Sequence, residues 1–149
     1  MKSVVFAALL ATPFLALSAA HAGPAGDALT KCVADSTTGK ERKELAQWIF
    51  AAMSAHPEIQ PMSRVDEESR VEFDKRLANL TGRLVTETCS DEARAAVVAE
   101  GSASFEAAFT VLGRLAMQEL MTEPSVRASM TNYTKYLDRA KFEAVFSKK

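Results

Sequence analysis

Histidine, cysteine and tryptophan are scarce in this chain of 149 residues, which has two, two and one of them. Each scarcity excludes a class of chemistry. Of the histidines only His56 lies beyond the first 22 residues. With two cysteines it falls short of the closely spaced four-ligand sets that structural zinc requires, so no metal is expected. Acidic and basic residues nearly balance, 19 against 18, which leaves no overall basic excess for nucleic acid or for an anionic membrane. No segment alternates polar and apolar residues long enough to read as a strand. Past residue 17 no apolar run approaches the length of about twenty residues that spans a bilayer. The chain also lacks a nucleophile motif and a complete phosphate loop, so no cofactor is expected.

What is present begins at the N-terminus. Met1 and Lys2 form a short positive start, residues 4–17 an apolar run interrupted by Thr12-Pro13, and Ala20-His21-Ala22 a small-x-small site. That is the layout of a secretory signal peptide. The run is too short and too interrupted for a membrane anchor. Cleavage is expected after Ala22, with a cut after Ala20 as the alternative. Residues 1–22 are thus read as a signal peptide and residues 23–149 as one mature domain with no stable membrane insertion. Gly23 follows the expected cut and no cysteine stands there for a lipid. The destination is periplasmic or secreted, and there Cys32 and Cys89 are expected to pair. A disulfide closing more than fifty residues stabilises by about 4 kcal/mol in the chain-entropy model. The rival reading is two buried thiols.

The mature chain reads as all-α, a compact domain of about five to six helices. The first spans 27–35 and carries Leu29, Cys32 and Val33. Thr38 and Glu41 form a capping box, each side chain reaching the other residue's amide, at the start of a second helix running to about residue 55. Leu45, Trp48, Ile49, Ala52 and Met53, widened by Ala46 and Phe50, give that helix the broadest apolar face and suggest a central helix packed on more than one neighbour. A third helix over 65–88 aligns Phe73, Leu77, Leu80, Leu84 and Thr88. Ser90 caps a fourth over 91–100, with acids at the positive dipole end. Gly101-Ser102 breaks or bends the chain before a fifth stripe of Phe105, Ala108, Phe109, Leu112, Leu115, Ala116 and Leu120. Pro124 starts a last seam through Val126, Met130, Tyr133, Leu137, Ala140 and Ala144. Core packing is expected for Tyr133, Tyr136, Phe142 and Phe146, with an interaction patch as the alternative and fraying of the last ten residues able to expose Phe142 and Phe146.

Three features invite chemistry. Ser36-Thr37-Thr38-Gly39-Lys40 echoes a phosphate loop, but Ala34 replaces the first glycine and Glu41 the magnesium-binding hydroxyl, which leaves a helix cap. His56 sits at a helix C-terminus, where capping or dipole compensation is the plain reading and catalysis the sharp one. Glu119 falls inside the apolar stripe of the fifth helix. A carboxylate there is paired, protonated or facing a cavity. The plain reading is an exposed helix end from which the side chain snorkels out, or pairing with a lysine or arginine of another helix, and the sharp one is a general acid or ligand contact.

The run C-V-A-D-S-T-T-G-K-E-R-K-E-L-A-Q-W-I-F at 32–50 resembles a family of small exported α-helical proteins of Gram-negative bacteria. So do A-A-M-S-A-H-P at 51–57 and A-M-Q-E-L-M at 116–121 with Pro124. The resemblance implies a bacterial, periplasmic destination and carries over no catalytic residue. The expected function is non-catalytic binding of a protein or small-molecule ligand in the envelope. The alternative is an immunity or enzyme-inhibitor protein using the exposed 57–64 segment. An enzyme using Glu119 with a second acid ranks lower.

Overall fold

The computed structural model describes residues 23–147, and the signal-peptide reading of residues 1–22 lies outside them. Seven α-helices run among the described residues: α1 (Pro24–Asp35), α2 (Gly39–Met53), α3 (Glu67–Arg83), α4 (Ser90–Glu100), α5 (Ala103–Met121), α6 (Pro124–Thr131) and α7 (Arg139–Phe146). No strand occurs among them. The helices form where apolar spacing and end signals agree. Pro24 occupies the first turn of α1, where its missing N–H costs nothing. The expected capping box opens α2: the Glu41 amide donates to Thr38 Oγ1 at 3.2 Å, and the Thr38 amide to Glu41 Oε2 at 2.8 Å. Asp66 caps α3 by accepting the Ser69 amide at 2.8 Å.

α1 to α5 pack around one core, and α5 is its centre. It touches α1, α2 and α4, and Ser104, Ala108, Leu112 and Ala116 line one fully covered edge at four-residue steps. Three of these four side chains are small, which lets neighbouring backbones approach closely. Leu29 and Val33 of α1, Leu45 and Ala46 of α2, Leu80 of α3, and Ala93 and Ala96 of α4 complete the core. The expected packing of α2 on more than one neighbour holds, but its central position needs correction. Leu45, Ala46 and Ala51 are buried and Trp48 and Ile49 half-buried against the core, while Phe50, Ala52 and Met53 are exposed. α2 packs between α5 and α3, and its apolar stripe continues past those neighbours into solvent.

Cys32 and Cys89 are joined, with an S–S distance of 2.05 Å. The bond ties the last turn of α1 to the residue before α4. The third helix differs from expectation at this point. After Arg83 the chain widens into a π-turn over Leu84–Thr88, with the Cys89 amide donating to the Leu84 carbonyl at 2.8 Å. The extra residue per turn rotates Thr88 to the surface and Cys89 into the core. Ser90 makes no side-chain cap, because the chain enters α4 directly from the buried cysteine. Gly101 then breaks the chain with φ of +76°, a left-handed conformation that glycine adopts without steric cost.

The last seam is not one helix. α6 ends in a 3-10 turn over Asn132–Tyr136, and Asp138 starts α7 afresh by accepting the Lys141 amide at 3.2 Å. Residues 127–147 are exposed throughout, and α6 packs on α5 alone of the five core helices. The core packing expected for the C-terminal aromatics is therefore corrected. The periodicity is present, but beyond Val126 no side chain of the seam is covered.

Candidate functional site

The turn at 36–38 between α1 and α2, together with the first turn of α2, gathers polar contacts from α3 and α5. α1 ends at Asp35, leaving the carbonyls of Ser36 and Thr37 directed away from any helical amide. Guanidinium groups from other turns fill those places. Arg42 Nη1 donates to the Thr37 carbonyl at 2.7 Å, and Arg83 Nη2 to the Ser36 carbonyl at 3.3 Å. Cations at a helix C-terminus are favoured by its partial negative charge.

Each arginine also holds a carboxylate. Arg83 Nη2 pairs with Glu41 Oε1 at 2.6 Å, and Arg42 Nε with Glu119 Oε2 at 3.4 Å. Burial pushes the Glu41 carboxyl up. The Thr38 amide and hydroxyl and the Arg83 guanidinium outweigh it, so the group sits below the usual glutamate range. The Ser36 hydroxyl lies 3.9 Å from both cysteine sulfurs. Thr-Gly-Lys here is a junction of three helices and the disulfide, as its cap chemistry implies. It cradles nothing.

Glu119 is reached across the bundle by Arg42, and both side chains are about one-quarter exposed. Among the described residues Arg42 is the one side chain that hydrogen-bonds its carboxylate. An arginine 77 positions away is the kind of partner that periodicity demands and cannot name. His56 lies elsewhere. It is exposed in the turn after α2, where its Nδ1 accepts the Glu58 amide at 3.3 Å and its carbonyl the amides of Ile59 and Gln60 at 2.9 Å. Glu119 meets the first turn of α2 and His56 follows the last, so a 15-residue helix of about 22 Å separates them. They do not share a site. Among the described residues no cluster of three or more His, Cys, Asp or Glu is arranged to hold a metal.

Two further arrangements escaped the sequence reading. Arg70 of α3 caps the end of α2, with Nη1 on the Ala51 carbonyl and Nη2 on the buried Ser54 hydroxyl at 3.0 Å. Trp48 Nε1 donates to Asp74 at 2.8 Å, pinning α2 to α3 a second time. A concavity of about 640 Å³ follows the outer side of α3, and every residue lining it belongs to that helix or its cap. No second element faces it, so it forms no cleft.

The most unusual surface is the arm formed by residues 124–147. Tyr133, Tyr136, Val145 and Phe146 are each more than 60% exposed, and Phe142 stacks on Phe146 with ring centroids 6.1 Å apart. Residues 124–147 carry four basic against two acidic side chains, with Lys148 and Lys149 following in the sequence, whereas residues 23–123 carry 11 against 17. The near-neutral total conceals an acidic bundle bearing a basic, aromatic arm. That asymmetry was visible in the sequence, and only whole-chain bookkeeping hid it. The chain matches no protein-family model, and neither curated proteins nor solved structures give a match.

Proposed function

We propose that the protein is an exported envelope protein that acts by binding, with no catalysis of its own, and that the arm at residues 124–147 is its contact surface. The exposure of the arm's aromatics carries this reading. Tyrosine and other aromatics supply large, low-entropy contact area and are enriched at protein interfaces. The basic excess selects a protein partner whose surface is acidic around an apolar centre.

Export is supported by the signal-like residues 1–22, by the disulfide and by the resemblance to small exported proteins of Gram-negative bacteria. Among the described residues no helix is long and apolar enough to cross a membrane. The inhibitor reading keeps one observation of its own, since the 57–64 segment exposes Met62 at 75% and Ile59 at 39%. A catalytic use of Glu119 ranks below both, because Arg42 already holds its carboxylate.

Photo-cross-linking in the envelope tests the proposal. A cross-linker at position 136 is expected to trap a discrete protein adduct that is absent when it replaces Arg94, an exposed position on α4. The adduct should disappear with Phe142→Ser and Phe146→Ser. Equal labelling from both positions, or an adduct only from position 62, overturns the arm as the contact and leaves the loop.

A further inference from the structure

The amides at the start of α1 are satisfied from an unexpected place. Gly23 stands at the cap position and has no side chain to offer, and Pro24 has no N–H. The remaining free amides all turn to Glu100, the last residue of α4. Gly23 N donates to Oε2 at 2.9 Å, Ala25 N to Oε1 at 3.0 Å, and Gly26 N to both oxygens at 3.1 Å. Glu100 thus does from 77 residues away what a local serine or aspartate does elsewhere. Among the described residues it has no lysine or arginine within 4.0 Å. Its charge is answered by amides alone.

Gly23 is also the residue expected to become the N-terminus. We propose that cleavage of the Ala22–Gly23 bond creates an α-ammonium that pairs with Glu100, so that export processing completes the clamp between α1 and α4. Hydrolysis adds one water across the peptide bond: Ala22 leaves as a carboxylate, and Gly23 keeps its nitrogen as an amine that protonates at neutral pH. The nitrogen already lies 2.9 Å from the Glu100 oxygen, so a hydrogen bond from a neutral amide to the carboxylate becomes an ion pair without movement of the chain.

A second, independent observation restricts the residue at this place. A Cβ on residue 23 would stand 2.5 Å from Glu100 Oε1 and 2.9 Å from its Cδ. Any other residue requires the Glu100 carboxylate to shift from this position. Position also matters, because a cut after Ala20 would put the ammonium on His21, as much as about 7 Å of chain farther along.

This inference rests on the export reading, and the first two arms of its test do not. Chains beginning at Gly23 and at His21 are prepared by trimming a cleavable fusion, each with Glu100 and with Glu100→Gln. The Gly23 chain is expected to melt about 4 °C above the His21 chain, and the difference should vanish in Glu100→Gln. Equal melting with Glu100 present, or the same difference without it, overturns the pair. A reading that needs no variant is the acylation rate of the Gly23 amine in the folded chain. It is expected to be about tenfold slower than in a Gly-Pro-Ala peptide, the equivalent of one pKa unit, and an equal rate overturns the pair. The mass of exported protein supplies the last arm. A chain starting at Gly23 supports the inference, whereas one starting at His21 overturns it while leaving export intact.

Discussion

The bundle of α1 to α5 and the arm of α6 and α7 carry the same kind of apolar periodicity and meet opposite fates. In α5, Ala108, Leu112 and Ala116 are fully buried, while in the arm Tyr133 is 64% and Phe146 is 78% exposed. Length is part of the difference. α5 has 19 residues, but α6 and α7 have eight each, too few to hold a helix without packing. Cross-links make up the rest. The bundle is tied by a disulfide, by Arg42–Glu119 and Arg83–Glu41, and by Glu100 at the head of α1. Among the described residues the arm's one ion pair is the local Lys141–Asp138. An apolar stripe licenses burial and says nothing about whether a facing surface exists.

Removing the disulfide strikes this contrast hardest. Replacing both Cys32 and Cys89 by alanine is expected to cost about 4 kcal/mol, because the bond spans 57 positions. Denaturant titration of the bundle tryptophan, Trp48, measures it, and a loss below about 1 kcal/mol would show that packing alone holds α1 to α4. Next in size, Leu112→Ala should cost about 3 kcal/mol, against less than about 0.5 kcal/mol for Phe142→Ala on the exposed arm. Equal costs for the two would mean that the arm packs on the bundle in solution. Hydrogen exchange sharpens the same point: α5 amides should exchange only on global unfolding, and arm amides through local opening.

The polar junction should give smaller effects. Thr38→Ala is expected to remove about 1 kcal/mol by breaking the capping box. Because the folded Glu41 carboxyl lies below its ordinary value of 4.5, its contribution is complete above that pH and fades as the pH falls through the lower folded value. Glu41→Gln should therefore flatten the stability–pH curve on the acid side, and an unchanged acid limb would argue that Arg83 and Thr38 do not hold the carboxylate in solution. Smallest in the bundle, Glu119→Gln should cost about 1 kcal/mol or less, as for partly exposed ion pairs. Loss of partner binding without loss of stability would instead give Glu119 a functional role.

The all-α class, the capping box, the break at Gly101 and the cysteine pair were legible because each depends on neighbours in sequence or on compartment chemistry. Helix period, the Thr38–Glu41 spacing and an even cysteine count are local or compositional. Several errors also have a local cause. The π-turn at Leu84–Thr88 follows from seating Cys89 in the core, and Asp138 is an N-cap overlooked inside a regular seam. The partners of Glu119, Glu100 and Ser54 were not legible. Arg42, the amides of α1 and Arg70 reach them from other elements, and no spacing rule connects residues 77 positions apart.

Sequence by itself determined which faces are apolar, where helices begin and stop, and that two cysteines could be joined. Tertiary structure alone decided that α5 rather than α2 is central, that Glu119 is held by Arg42, and that the C-terminal aromatics stand in solvent. The physical reason is common to all three. Helix formation is settled within a few turns of chain, but burial and charge pairing require a second surface, and only the packed chain places one.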